Sequence, residues 1–157
     1  MVRPPDPSPA SAIMKQRRRK KLAGRLVMAA MVEDTPRVQA LLRAGADPEW
    51  ANGEGTTPLY AASVQGAAGI VRLLLDAGAS PDAESGHGTE GTPLCAAACW
   101  GHADAVRELL DHGADPNLRE DQGTGRAPLD WAVGGPHPET IALLTAAGAI
   151  RTRTRQA

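Results

Sequence analysis

Residues 92–117, TPLCAAACWGHADAVRELLDHGADPN, decide the fold. Thr92 is a good N-cap, and Pro93 takes the first helical position, where its missing N–H costs nothing. Leu94 then opens an alanine-rich helix that Gly101 ends. Ala105, Val106, Leu109 and Leu110 recur at helical spacing and give a second helix one apolar side. Gly113 follows as a C′ residue able to take positive φ, and Asp115-Pro116-Asn117 is turn chemistry. Two such helices bury little on their own. The unit needs neighbours.

The sequence supplies them. Pro58-Leu59, Pro93-Leu94 and Pro128-Leu129 are spaced 35 residues apart. From each proline to the glycine after the second helix is 20 residues, as in Pro58 to Gly78, Pro93 to Gly113 and Pro128 to Gly148. The pairs Leu41-Leu42, Leu74-Leu75, Leu109-Leu110 and Leu143-Leu144 keep step. A period in this range marks a stacked repeat architecture. The first copy is degenerate: Arg25 stands where the proline belongs, yet Leu26 and Arg43-Ala44-Gly45-Ala46 hold the register. The expected fold is an all-α solenoid of four helix-turn-helix repeats, over about 22–55, 56–90, 91–125 and 126–150, with the first and last as caps. Helices are expected near 22–32, 35–43, 58–65 and 69–77.

At Thr57-Pro58-Leu59-Tyr60-Ala61-Ala62, Thr92-Pro93-Leu94-Cys95-Ala96-Ala97, Ala127-Pro128-Leu129-Asp130-Trp131-Ala132, Gly101-His102 and the Gly-Ala-Asp turns at 45–47 and 113–115, the chain resembles the ankyrin repeat family. The resemblance covers roughly residues 22–150. In the family's opening Thr-Pro-Leu-His the fourth place here holds Tyr60, Cys95 and Asp130. That departure touches the hydrogen bonds the histidine makes along the stack, not the fold. The resemblance implies that the loops between repeats project as β-turn fingers. It also implies that partner proteins bind at the finger tips and on the inner face of the first helices. From Ala46 to Thr57 is 11 steps, while Ala79 to Thr92 and Ala114 to Ala127 are 13, so the second and third fingers are longer.

A chain of 157 residues suits one domain. It has no Phe and one Tyr, so Ala and Leu must fill the core. No apolar run reaches the length of a membrane span, and no signal-peptide core begins the chain. Two cysteines make no disulfide framework. The expectation is a monomer in a reducing, cytoplasmic setting, with no membrane contact.

The net charge of −1 hides a segregation. Residues 1–25 carry eight Lys or Arg against Asp6 alone, and residues 151–157 add three Arg. The body at 26–150 has six Arg and seventeen Asp or Glu, a net −11. Residues 1–21 are expected to form a disordered basic tail and 151–157 a basic C-terminal one that covers the apolar end of repeat four. The run KQRRRKK at 15–21 has a second conformational reading, as the first turns of a long helix leading into 26–32. Six cations near a helix N-terminus oppose the macrodipole, so such a helix should fray. Functionally the run is a solubilising tail, a grip for nucleic acid or an anionic surface, or a contact for the acidic body.

Glu49, Glu54, Asp82, Glu84 and Glu90 place carboxylates on the first two fingers, and Arg119, Glu120, Asp121 and Arg126 give the third mixed charge. These are either ordinary solvated loops or a negative edge that steers a basic partner. The resemblance places Val64, Gln65, Cys99, Trp100, Gly134 and Gly135 at the variable inner-helix positions, with Tyr60 on the same side. Trp100 is the sharpest, because an exposed Trp is unusual and is favoured at interaction hot spots. Trp131 replaces the small residue found at Ala61 and Ala96 and is expected in the core; Trp50 sits at a finger base. The candidate partner-binding set is Trp100, Tyr60, Gln65, Cys99, Glu49, Glu54, Glu84, Glu90 and Arg126.

Other patterns carry less. Residues 86–91 match G-x-G-x-x-G, but no strand precedes them, so the glycines read as a flexible finger. Cys95, Cys99 and His102 have helical spacing for a metal but no fourth ligand, and read as free thiols and a repeat histidine. His87, His112 and His137 fall on loops or helix ends without a partner at telling spacing. No catalytic constellation stands out, so neither enzyme activity nor a cofactor is expected. The leading expectation is a non-catalytic module that binds a protein of basic character on its concave face and fingers. The alternative is a nucleic-acid-associated protein that uses residues 15–25.

Overall fold

The computed structural model describes residues 9–152. The tail expectations at 1–8 and 153–157 lie outside the described residues. Four helix pairs follow one another: α1 (Pro9–Met31) with α2 (Thr35–Arg43), α3 (Pro58–Gln65) with α4 (Ala68–Asp76), α5 (Pro93–Trp100) with α6 (Ala103–Asp111), and α8 (Pro128–Val133) with α9 (Pro138–Ala146). Between the last two pairs, α7 (Glu120–Gly123) is a single turn in the third finger. The first helices stack in one layer, α1 on α3 on α5 on α8, and the second helices in another, α2 on α4 on α6 on α9. This is the all-α repeat solenoid that the 35-residue period predicts. Among the described residues the fingers contain no strand, only one antiparallel bridge between Ser85 and Gly91.

The expected disorder of residues 1–21 does not hold for 9–21, which form the start of α1. The long-helix reading of that stretch is the one the structure takes. Two local facts explain it. No Pro or Gly falls between Pro9 and Gly24, and Ala, Met, Lys, Arg and Gln are strong helix formers. Further along, Ala23, Leu26, Val27, Ala29 and Ala30 are buried and nucleate the helix that the basic turns then extend.

Each helix boundary has a chemical cause. The Thr57 and Thr92 hydroxyls accept the amides of Tyr60 and Cys95 at the starts of α3 and α5, and Asp34 accepts that of Arg37 at the start of α2. Gly66 and Gly101 end α3 and α5 in the left-handed region, at φ 73° and 72°. The second helices all stop in one motif. Ala46 N–H reaches Leu41 O, Ala79 N–H reaches Leu74 O, Ala114 N–H reaches Leu109 O and Ala149 N–H reaches Leu144 O, with the preceding glycine at φ between 87° and 101°. This is the Schellman arrangement, and its buried alanine supplies the apolar contact. The repeated Leu-Leu…Gly-Ala is therefore a helix stop.

The core is one continuous seam. Leu26, Val38, Leu59, Ile70, Leu74, Leu94, Val106, Leu109 and Leu144 are buried along it, with alanines between them. Fully burying one such Leu stabilises by roughly 1.5–3 kcal/mol. No single helix pair gathers many of these residues, so the interfaces carry the fold.

Histidines tie the first helices together. His102 Nε2 lies 3.0 Å from Val64 O, and His137 Nε2 lies 3.1 Å from Cys99 O. In each case an imidazole N–H donates back to the last turn of the preceding repeat's first helix. His137 therefore has a partner, contrary to the sequence expectation. Its distance from His102 is the same 35 residues that separates the prolines. Each ring also covers the preceding helix-ending glycine. A Cβ on Gly66 would sit 2.5 Å from the His102 ring, and one on Gly101 would sit 2.2 Å from His137 Nδ1. His112 joins the second helices: Nε2 is 3.0 Å from Asp76 Oδ1 and Nδ1 is 2.8 Å from Glu108 O. Two acceptors favour the imidazolium, and the Asp76 bond, then the Glu108 carbonyl, raise its pKa above the ordinary 6.5.

Two predictions follow from these contacts. Gly113 is also left-handed but faces open space, so Gly113→Ala bears only the left-handed strain, about 1–2 kcal/mol. Gly101→Ala bears the same strain and displaces His137 from Cys99 O, a further loss of about 1 kcal/mol. Urea unfolding should show the larger loss at Gly101; equal losses would contradict the histidine tie. His112 contributes stability that is present below pH 6.5 and lost as pH rises through its raised folded pKa. The stability gap between the wild type and His112→Gln should shrink above pH 6.5, and a gap constant with pH would show the imidazolium is not used.

Candidate partner-binding face

Side-chain oxygens of the fingers hold the fingers to one another. Glu49 Oε1 accepts Ser80 N–H, Asp82 Oδ1 accepts Asp115 N–H at 3.0 Å, and Asn117 Oδ1 accepts Ile150 N–H at 2.9 Å. Ser80, Asp115 and Ile150 stand 35 residues apart, each just after a Gly-Ala stop. A second row runs nearer the helices. Thr57 N–H donates to Ser85 Oγ at 2.9 Å. Ala127, which has no hydroxyl for a cap, donates its own N–H to Asp130 Oδ2 at 3.1 Å. The other oxygen of Asp130 accepts Thr152 N–H at 3.1 Å, and Oδ2 also takes the Thr152 hydroxyl. The described part of the C-terminal segment is thus folded onto α8, while Ile150 remains exposed.

Glu90 is fully engaged: its two oxygens accept the hydroxyls of Thr56 and Ser85, both at 2.7 Å. Glu84 Oε1 accepts Gln122 N–H at 3.2 Å in the next finger. Gly86, Gly88 and Gly91 take φ of 64°, 84° and 97°, which fold the second finger into a tight turn, and Gly86 N–H donates to Gly55 O at 2.9 Å.

Trp131 corrects the expectation of a core residue. It is half-buried, packed on the core by one face and covered on the other by the Arg126 guanidinium, 4.7 Å from the ring centre. Its Nε1–H donates to Glu120 Oε2 at 2.8 Å. An indole has one polar edge, and here that edge needs the carboxylate. Burial pushes Glu120 above the usual carboxylate range, against the pull of the Trp131, Cys95 and Thr92 donors. Arg126 thus serves as a lid on Trp131. Cys95 lies beneath the same cluster, and burial pushes its thiol far up, so it is no nucleophile. Among the described residues no three His, Cys, Asp or Glu converge as metal ligands. Trp50 has the Arg19 guanidinium 5.8 Å from its ring centre.

Four of the candidate residues meet in one groove. Tyr60, Gln65, Glu54 and Glu90, with Met31 and Val64, line an open depression of about 180 Å³ where the first two repeats join. Its floor is apolar and aromatic and its rim carboxylate. Burial, then the charges of Glu90 and Glu120, raise the Tyr60 pKa. Trp100 stands one repeat on, at the position equivalent to Gln65, and is 62% exposed. Cys99 beside it is half-buried, its carbonyl occupied by His137. Sequence reasoning missed Met31, which belongs to the groove because α1 ends there; the degenerate first repeat gave no motif to place it.

A family model described as ankyrin repeats (3 copies) matches residues 26–120 and 82–154. No curated protein matches the chain.

Glu90 and Glu54 should behave differently on substitution. Glu90→Ala strands two hydroxyls and should lower stability by about 1–3 kcal/mol. Glu54→Ala, at an exposed position, should change it by less than about 0.5 kcal/mol. Paired denaturation curves check this; equal effects would remove the structural role of Glu90.

Proposed function

The chain belongs to the ankyrin repeat family, a family of protein–protein interaction modules, and from that premise we propose that it is a non-catalytic module binding a partner protein across the Tyr60 groove and Trp100. The observation that carries this reading is Trp100, a large aromatic left 62% exposed at the end of a helix whose other residues are largely buried. Such a ring is pre-positioned, which limits the entropy lost on association. The groove beside it combines Met31, Tyr60 and Val64 with the carboxylates of Glu54 and Glu90. That lining suits a segment presenting an apolar side chain next to Lys or Arg. Glu54, with a side chain not tied to another finger, is the member best placed to meet a cation. Gln65 and Cys99 would frame the contact, while Glu49, Glu84 and Arg126 would act by holding the fingers and Trp131 in place.

Selection of displayed peptides on the immobilised full chain tests this. The expected binders combine Lys or Arg with an aliphatic or aromatic residue. A central hot spot carries about 2 kcal/mol or more, so Trp100→Ala should weaken them at least tenfold, roughly. Acidic consensus binders, or binders indifferent to Trp100→Ala, would overturn the reading.

A further inference from the structure

The protein-binding reading leaves one feature unused, the N-terminal half of α1. Lys15, Arg17, Arg18, Arg19, Lys20 and Lys21 are all exposed, and Arg25 joins them one turn on. Among the described residues none of the seven forms an ion pair with a carboxylate. This is unexpected beside a body of net charge −11. The helix explains it. α1 runs unbroken into the buried Leu26 and Val27, so the cations are fixed along one rigid rod rather than free to seek carboxylates one by one. Arg19 over Trp50 braces the rod against the first finger.

The rod is electrostatically uncomfortable. Lys15 with Arg18 and Arg19, Arg17 with Lys20 and Lys21, and Lys21 with Arg25 repel at helical neighbour spacing. A polyanion laid along it would relieve this. The cations are distributed around the helix, because residues 17, 18, 19, 20 and 21 in succession cover every direction at 100° steps. A ligand that touches only one side would use few of them. A groove walled by phosphates on both sides would use most, and the major groove of duplex DNA, about 12 Å wide, admits one α-helix.

We propose that residues 15–25 of α1 form a grip for the phosphodiester backbone of duplex DNA, seated in the major groove. The grip is independent of the Tyr60–Trp100 face. The acidic body, repelled by the same phosphates, stays clear of the duplex and leaves the groove open to a protein.

The test is fluorescence anisotropy of a labelled duplex of about 20 base pairs, titrated with the full chain between 50 and 200 mM NaCl. If five or six phosphates are neutralised, the affinity should fall roughly a thousandfold over that range. A variant with Arg17, Arg18, Lys20 and Lys21 all changed to Gln should bind at least tenfold more weakly at 50 mM, with a shallower salt slope. The charge-conserving Arg17→Lys/Arg18→Lys pair should bind like the wild type, which separates loss of charge from loss of structure. Trp100→Ala should leave DNA binding unchanged, so this grip and the protein-binding face fail separately. Three results would overturn the proposal: no salt-dependent binding; equal binding by the Gln variant; or tighter binding to phosphatidylserine vesicles or polyglutamate than to the duplex at equal salt. The last would assign the exposed Ile13, Met14 and basic turns to a lipid surface or an acidic protein instead.

Discussion

A helix of eight or nine residues does not persist alone in water, and that constraint shapes nearly everything in this molecule. Each pair must be completed by the next. The apolar seam supplies most of the attraction, yet that attraction is non-directional and defines less sharply which turn faces which. Register comes from polar groups that reach one repeat along the stack. Histidine N–H groups meet the carbonyls of Val64 and Cys99, and side-chain oxygens of Glu49, Asp82 and Asn117 meet the amides of Ser80, Asp115 and Ile150. A slip by one residue would break several such bonds at once.

Much of this was legible because it is periodic. Thr-Pro-Leu and Leu-Leu…Gly-Ala gave the helix starts and stops, and the structure shows why: hydroxyl caps at Thr57 and Thr92, and Schellman turns at each Gly-Ala. His137 was legible in principle, at the same interval from His102 as one proline from the next, but Pro136 replaces the glycine of the usual Gly-His and hides it. Trp131 was misjudged because its size argues for the core while its N–H argues for an edge, and only the folded arrangement brings Glu120 to that edge. The basic start of α1 was ambiguous for a physical reason. Propensity favours helix, charge opposes it, and the balance is tipped by burial further along the same helix. The finger row was legible in principle, since Glu49, Asp82 and Asn117 each stand three residues after the alanine of a Gly-Ala stop, although the shorter first finger makes their intervals 33 and 35 residues.

The acidic body accordingly has two kinds of negative charge. Glu49, Asp82, Glu84, Glu90 and Glu120 hold backbone and side-chain donors in place. Glu54 stays exposed at the groove and contributes to a field there. The same division separates structural aromatics from an available one. Trp131 has a bonded N–H and a cation over its ring, and Trp50 has Arg19, whereas Trp100 projects from the end of α5 largely exposed. A rigid ladder behind an exposed ring is the arrangement by which a short solenoid can present a binding face without first ordering it.

Native-state hydrogen exchange at the Ser80 and Asp115 amides measures the inter-repeat ladder most directly. Both lie on exposed residues, where an unbonded amide exchanges near its intrinsic rate. The ladder predicts strong protection at both, reaching that of the adjacent Leu74 and Leu109 amides and lost together when Asp82→Ala removes the acceptor for Asp115 and weakens the neighbouring interface. Exchange at the intrinsic rate in the wild type would contradict it, and would leave the apolar seam alone to hold the repeats in register.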